Sequence, residues 1–195
     1  SGDMYGGGSG MDMYGGGTSE WNPMKQGYNN DETQKQSGKA SIKVSCSTPG
    51  EDSGASQLVA INQEKPKPLI LTAWSKADNV SGEPSSEYSI YVDLIYTDGT
   101  PLWGQTAIFD TGTHDWQQKS FTIQPGKPVR SATVIAMLRN KTGTVWFDDI
   151  SLHEEGGPEL IANGEFENPS RVPLAIDVSK SGGKLEIPAY SGRVF

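Results

Sequence analysis

Short runs that alternate between apolar and polar positions recur along most of the chain. The clearest run covers residues 87–97, where one face carries five apolar or aromatic residues: Tyr88, Ile90, Val92, Leu94 and Tyr96. Asp98-Gly99 follows it, a pair that is typical of a hairpin turn. Similar runs predict strands at 40–46, 57–61, 68–76, 102–109, 117–123, 129–139 and 144–152. No stretch predicts a helix beyond one turn near residues 30–35. Strands at this spacing predict an all-β fold, an antiparallel β-sandwich.

The regions that flank these strands differ from them in composition. Residues 3–8 and 12–17 both read Asp-Met-Tyr-Gly-Gly-Gly, and such a stretch loses much backbone entropy on ordering, so composition favours a flexible linker. After Gly156-Gly157-Pro158 come roughly forty residues with alternating runs at 171–178 and 184–190, which is too short for an independent core. The chain therefore divides into a Gly-rich tail (1–18), a sandwich domain (19–155) and a C-terminal extension (156–195).

Charge and composition exclude several classes of protein. The chain of 195 residues has a formal net charge of −8, which disfavours nucleic acid as a partner. No run approaches the roughly eighteen apolar residues of a transmembrane helix. The single cysteine excludes an internal disulfide and a cysteine-based zinc site. The chain opens with Ser-Gly-Asp and no charged and apolar leader, so we expect a mature form or an excised fragment.

Catalytic groups are not apparent in the sequence. The two histidines, His114 and His153, are too few for a catalytic triad or a zinc site. The chain has 24 acidic residues, but nothing in their spacing indicates the pair of facing carboxylates that glycoside hydrolysis requires. We therefore expect a protein that is not an enzyme.

Four passages together carry a family resemblance. They are Ser-Gly-Lys-Ala-Ser-Ile-Lys-Val at 37–44, Leu-Thr-Ala-Trp-Ser-Lys at 71–76, His-Asp-Trp at 114–116 and Gly-Thr-Val-Trp-Phe-Asp-Asp-Ile-Ser-Leu at 143–152. In this order, over residues 19–153, they resemble the jelly-roll carbohydrate-binding modules attached to xylanases and related polysaccharide-degrading enzymes. The resemblance implies a jelly-roll sandwich, a polysaccharide as partner, and an extracellular or cell-surface location.

One motif of that family stands at the wrong end of the chain. Its members usually begin with a strand of the form Asn-Gly-x-Phe-Glu, which occurs here after the domain, at 163–167. It could begin a second module, fold back into the first-strand position of its own chain, or be donated to a neighbouring subunit whose sheet edge is open. The last alternative would make the chain a structural subunit of an extracellular filament or surface assembly, in which residues 159–195 and the N-terminal tail join identical subunits.

The resemblance directs attention to residues that face away from the core. Sugar rings pack their C–H faces on aromatic side chains, while polar groups fix the hydroxyls. Tyr91 and Asp93 lie opposite the core face of their predicted strand, and Trp103, Gln105 and Arg139 are the next candidates. These residues would hold a polysaccharide on the concave face of the sandwich. The alternative is ordinary sheet-surface aromatics or a subunit interface.

A second candidate site contains acidic residues. Asp148 is expected on the core face of its strand, together with Trp146, Ile150 and Leu152, and a buried carboxylate needs a partner or a metal. In the resembled family, this motif helps to bind a structural calcium ion. The resemblance therefore implies a calcium site with oxygen ligands from Asp148 or Asp149, Glu165 or Glu167, and the carbonyl of Lys39. The alternative is a carboxylate that accepts hydrogen bonds from backbone amides.

Overall fold

The computed structural model describes residues 20–168, and this part of the chain consists of ten β-strands and their connections without a helix. The strands are β1 (Asn22–Lys25), β2 (Asn29–Asp31), β3 (Ser41–Cys46), β4 (Asp52–Ala60), β5 (Leu69–Val80), β6 (Tyr88–Tyr96), β7 (Pro101–Ile108), β8 (Gly112–Ile123), β9 (Val129–Arg139) and β10 (Gly143–Glu154). They form two five-stranded antiparallel sheets. The first sheet has the order β1-β4-β9-β6-β7 and the second β2-β3-β10-β5-β8. No helix able to cross a membrane occurs among these residues.

The core lies between the two sheets and follows the predicted alternation. The residues of β6 that share the predicted apolar face, from Tyr88 to Tyr96, are all buried. They face buried residues of the second sheet such as Val145 and Phe147, and the ring centroids of Tyr88 and Phe147 are 6.0 Å apart. The prediction of an all-β jelly-roll sandwich is confirmed. The short strands β1 and β2 were not predicted, because three or four mostly polar residues give no clear alternation.

A β-bulge in β10 changes which residues face the core. Val145 and Phe147 are core residues, but the pairing with β5 shifts register between Asp148 and Ser151, and Asp149 has a φ of 48°. The extra residue resets the alternation, so Ile150 and Leu152 also point into the core. The prediction that Asp148 shares a core face with Ile150 and Leu152 was therefore wrong. Asp148 belongs to the outer face of the second sheet.

Residues 159–168, here named the closing segment, pack against one end of their own sandwich. Phe166 is completely buried, and its ring centroid lies 5.4 Å from that of Trp21, just before β1. The indole N–H of Trp21 donates to the carbonyl of Asn163 at 3.0 Å. Gln57 of β4 exchanges two hydrogen bonds of 2.8 Å with the backbone of Ala162. The closing segment is thus anchored to the first sheet.

The closing segment is also anchored to the second sheet. The amide of Ile150 in β10 donates to the carbonyl of Gly164 at 3.0 Å, and the amide of Leu160 donates to the carbonyl of Leu152 at 2.9 Å. A Cβ on Gly164 would lie 1.9 Å from the carbonyl oxygen of Ile150, so only glycine permits this approach. The closing segment therefore contacts strands of both sheets, β4 in the first and β10 in the second.

This packing bears on the three alternatives for the motif at 163–167. These residues adopt turns and irregular backbone, so the expected strand was wrong, and they contact their own chain. Strand β1, from the beginning of the domain, occupies the edge of the first sheet beside β4. The tail at 1–18 and the strands predicted at 171–178 and 184–190 lie outside the described residues.

Candidate functional site

The outer face of the first sheet carries the aromatic candidate that the sequence singled out. Tyr91 and Asp93 are half-buried and alternate with the core residues of β6. Tyr91 lies in register with Ile135 of β9 on one side and with Thr106 of β7 on the other. Its side chain therefore stands in the interior of the sheet surface, with neighbouring strands on both sides, as the sequence pattern predicted.

A distortion of β7 shapes one side of Tyr91. The pairing of β6 with β7 shifts register between Val92 and Leu94, and the carboxylate of Asp93 accepts the amide N–H of Gly104 at 2.9 Å. Gly104 has a φ of 71°, and a Cβ there would lie 3.2 Å from the Tyr91 hydroxyl oxygen. Because glycine can adopt this conformation, β7 passes close to the end of the tyrosine ring. The preceding residue, Trp103, is 60% exposed.

Arg139 reaches Tyr91 from the end of β9. Its guanidinium carbon lies 5.8 Å from the centroid of the Tyr91 ring, within the range of a cation–π contact. Tyr91 is therefore flanked by a cation on one side and by the Asp93–Gly104 contact on the other. The Tyr91 ring thus lies between a cationic and an anionic side chain on the outer face of the first sheet.

Gln105 does not join this group. It lies in register with Val92, whose side chain is in the core, so it belongs to the face opposite Tyr91. Its amide donates to the carbonyl of Trp103 at 3.1 Å. The distortion at Trp103 and Gly104 changes the alternation along β7, and simple counting from Tyr91 could not reveal this change.

Sequence reasoning missed Leu58, an exposed apolar residue on this face. Leu58 of β4 is 73% exposed and pairs with Thr133 of β9, which pairs in turn with Asp93. The row Leu58, Thr133 and Asp93 therefore crosses three strands of the outer face. The neighbouring Gln57 is buried and bonded to the closing segment. Because Leu58 is exposed and Gln57 is buried, the order of apolar and polar residues predicts the wrong face of β4 for both.

The acidic candidates lie around the turn at residues 36–40. The buried carboxylate of Asp148 accepts the amides of Gln36 and Ser37 at 2.8 and 3.2 Å, and Asp149 accepts the hydroxyl of Ser37 at 2.9 Å. Burial raises the pKa of Asp148 from 3.8 to about 6, against the opposing effect of its amide hydrogen bonds. These contacts hold the turn against β10.

Glu167 binds the other side of the same turn. Its carboxylate accepts the amides of Lys39 and Ala40 at 2.7 and 3.3 Å. A Cβ on Gly38 would lie 2.2 Å from this carboxylate, so a larger residue there would displace the Glu167 side chain from its present position on the turn. Glu167 therefore ties the closing segment to the start of β3.

The positions of the acidic side chains can be compared with the calcium site that the resemblance implied. Glu165 lies apart from Glu167 and, with Asp149 and Glu159, lines a cavity of about 310 Å³. Among residues 20–168, no three acidic, histidine or cysteine side chains converge as metal ligands. The side-chain oxygens of Asp148 and Glu167 accept hydrogen bonds from backbone amides. The observed contacts thus fit the alternative of amide-bound carboxylates, and calcium stays a prediction. A melting temperature lowered by a chelator and restored by calcium would support the ion.

The buried Asp148 predicts a pH dependence of stability. Because its pKa is higher in the folded chain, the folded state binds a proton more tightly than the unfolded state between pH 4 and 6. The free energy of unfolding should therefore fall as pH rises through this window, by up to about 3 kcal/mol. Urea unfolding at several pH values, in the presence of a chelator, measures the free energy of unfolding of the wild type and of Asp148→Asn. If the free energies of unfolding of the two proteins differ by the same amount at every pH, the raised pKa of Asp148 is contradicted.

Comparison with solved structures identifies proteins that share this fold. The xylan-binding CBM22-1 domain of Paenibacillus barcinonensis Xyn10C has a TM-score of 0.52 at 12% identity, over 71% of this chain and 88% of that one. The CBM22-1 and catalytic modules of Clostridium thermocellum Xyn10B give 0.53 at 14% identity, over 70% and 26%. The active domain of bacteriophage CBA120 tailspike protein 4 gives 0.52 at 12% identity, over 70% and 20%. The chain thus has the jelly-roll fold of xylanase-appended carbohydrate-binding modules, which confirms the resemblance at the level of the fold.

Sequence comparison finds a different kind of relative. The chain is 33% identical over 148 residues to the tRNA nuclease WapA of Bacillus subtilis strain 168, and 34% identical over 134 residues to WapA of Bacillus spizizenii. These alignments cover 70% and 67% of this chain but only 6% and 5% of the relatives. No protein-family model matches the chain.

Proposed function

We propose that this chain is a non-catalytic carbohydrate-binding module that holds a polysaccharide on the outer face of its first sheet. The observation that carries the proposal is the placement of Tyr91, which stands among paired strands between the guanidinium of Arg139 and the Asp93–Gly104 contact. A sugar ring would pack on the tyrosine, and the two charged side chains would bind its hydroxyls. The exposed Trp103 would extend the contact along the polymer.

The match to WapA is compatible with a binding role. The matched region is 6% of the Bacillus subtilis protein, so a nuclease centre can lie anywhere in the remaining length. The formal net charge of −8 disfavours a nucleic-acid groove in this chain, because binding along a phosphate backbone requires concentrated positive charge. We therefore propose that the matched region attaches a longer protein to a glycan, outside the cell or at its surface.

The filament alternative gains no support from the described contacts. Residues 159–168 contact Trp21, Gln57 and β10 of the same chain, whereas the rest of the 159–195 segment and the N-terminal tail lie outside the described residues. Sugar binding is accordingly the function that this geometry favours.

Affinity electrophoresis tests the proposal. The native protein should be retarded in gels that contain a soluble plant or bacterial polysaccharide. Tyr91→Ala should weaken the binding about thirtyfold, and Trp103→Ala should weaken it less, because a buried aromatic contact in a binding site is worth about 2 kcal/mol.

The control is Gln118→Ala, an exposed position on β8 in the second sheet. This variant should migrate like the wild type in every gel, and all three variants should keep the wild-type melting temperature. Equal retardation of Tyr91→Ala and the wild type would exclude the outer face of the first sheet as the binding surface.

A further inference from the structure

The guanidinium of Arg139 is a cation that lacks a charged partner in this part of the chain. The four ion pairs found among residues 20–168 lie elsewhere: Lys67–Glu154, Lys76–Asp115, Lys119–Asp110 and Lys127–Asp98. The Arg139 side chain makes no hydrogen bond within the same residues, and its contact is with the ring of Tyr91. Because Arg139 is half-buried, this charge is partly removed from water at the candidate site.

The carboxylates closest to Arg139 along the strands have other partners or lie apart. Asp52 of β4 is in register with Arg139, but their charged atoms do not come within the 4.0 Å of an ion pair. Glu87, whose carbonyl accepts the amide of Arg139, uses its carboxylate to accept the side-chain amide of Asn140 at 3.0 Å. Asp93 is bonded to Gly104. The sheet thus positions a cation beside an aromatic ring and leaves its donors available.

The chemistry of guanidinium restricts the ligand. Its five N–H donors form a planar fork that matches the paired oxygens of a carboxylate or a phosphate. A bidentate pair of this kind adds geometric specificity as well as energy, and a single neutral hydroxyl cannot form it. A neutral sugar would leave this half-buried cation without a counter-charge, whereas an anionic group next to the stacked ring would supply one.

We propose, on the basis of the sugar-binding function above, that the outer face of the first sheet selects an anionic polysaccharide, whose sugar units carry a carboxylate or a phosphate. Tyr91 packs on the sugar ring, and Arg139 binds the anionic substituent. The net charge of −8 repels a polyanion at long range, but at physiological ionic strength this repulsion is screened beyond about 8 Å. Selectivity therefore arises from the direct contact with Arg139.

Matched pairs of polymers test this inference with the full chain at 0.15 M salt. One pair is glucuronoxylan and the same glucuronoxylan after chemical reduction of its carboxyl groups. The other pair is a phosphomannan and its dephosphorylated form. In affinity electrophoresis, the wild type should bind the charged member of at least one pair at least tenfold more tightly than the neutral member. The pair that shows this difference identifies the anionic group as carboxylate or phosphate.

The variants separate the two proposals. Arg139→Gln should bind both members of the pair equally, and Arg139→Lys should recover part of the preference, since lysine retains the charge but not the planar fork. Tyr91→Ala should lose binding to both members. If the wild type binds charged and neutral members equally and still requires Tyr91, the anionic preference is overturned while sugar binding stands. If no polymer retards the wild type, both proposals fail.

Discussion

Replacement of Phe166 by alanine is expected to lower the free energy of unfolding by about 3–5 kcal/mol, the usual cost of truncating a buried phenylalanine. The ring is completely buried against Trp21, and its loss leaves a cavity where the closing segment meets both sheets. Denaturant unfolding, followed by the fluorescence of the tryptophans, measures the change. The effect is large relative to the typical stability of 5–15 kcal/mol for a domain.

The matched control for this variant is Glu165→Ala, whose side chain is exposed in the same segment. It should change the free energy of unfolding by less than about 0.5 kcal/mol. The midpoint of the wild type should also be independent of protein concentration, because the segment closes its own sandwich. A midpoint that rises with concentration, together with a stable Phe166→Ala monomer, would show that the segment acts between chains instead.

Replacement of Asp148 by alanine is expected to destabilise the fold by about 2–4 kcal/mol at pH 7. The carboxylate is completely buried and accepts the amides of Gln36 and Ser37, which would lose their acceptor. The cost is limited because burial already disfavours the charged form, as its pKa of about 6 indicates. Thermal unfolding with circular dichroism measures the loss.

Asp149→Ala is the control for this second variant. The neighbouring carboxylate is half-buried and accepts the Ser37 hydroxyl, so its removal should cost less than about 1 kcal/mol. Comparable losses in the two variants would show that the charge of the pair, rather than the buried amide contacts of Asp148, holds the turn at 36–40.

The candidate site was only partly predictable from the sequence. The placement of Tyr91 and Asp93 on the outer face followed from alternation, which a regular strand such as β6 preserves over its length. Arg139 could be proposed as a polar neighbour, but its approach to Tyr91 depends on the register of β9 against β6. Gln105 was assigned to the wrong face, because the distortion near Gly104 is a property of strand pairing.

The acidic candidates, too, were only partly predictable from the sequence. The sequence indicated that Asp148, Glu167 and Lys39 belong together, through the family resemblance. It could not indicate that the side-chain oxygens accept the amides of residues 36, 37, 39 and 40. Those bonds join positions more than a hundred residues apart, and their geometry is set only when the closing segment and the turn meet.

By itself, the sequence determined the all-β class, the hairpin after β6 and the core face of β6. These features depend on a local period of two and on local turn chemistry. The tertiary structure decided the bulge that places Asp148 outside the core, the closing segment that buries Phe166, and the juxtaposition of Arg139 and Tyr91. Each of these depends on contacts between distant parts of the chain, such as the bond from Trp21 to Asn163 across 142 positions. Such contacts form only where the packing of the two sheets leaves space for them, and this packing cannot be read from a local sequence pattern.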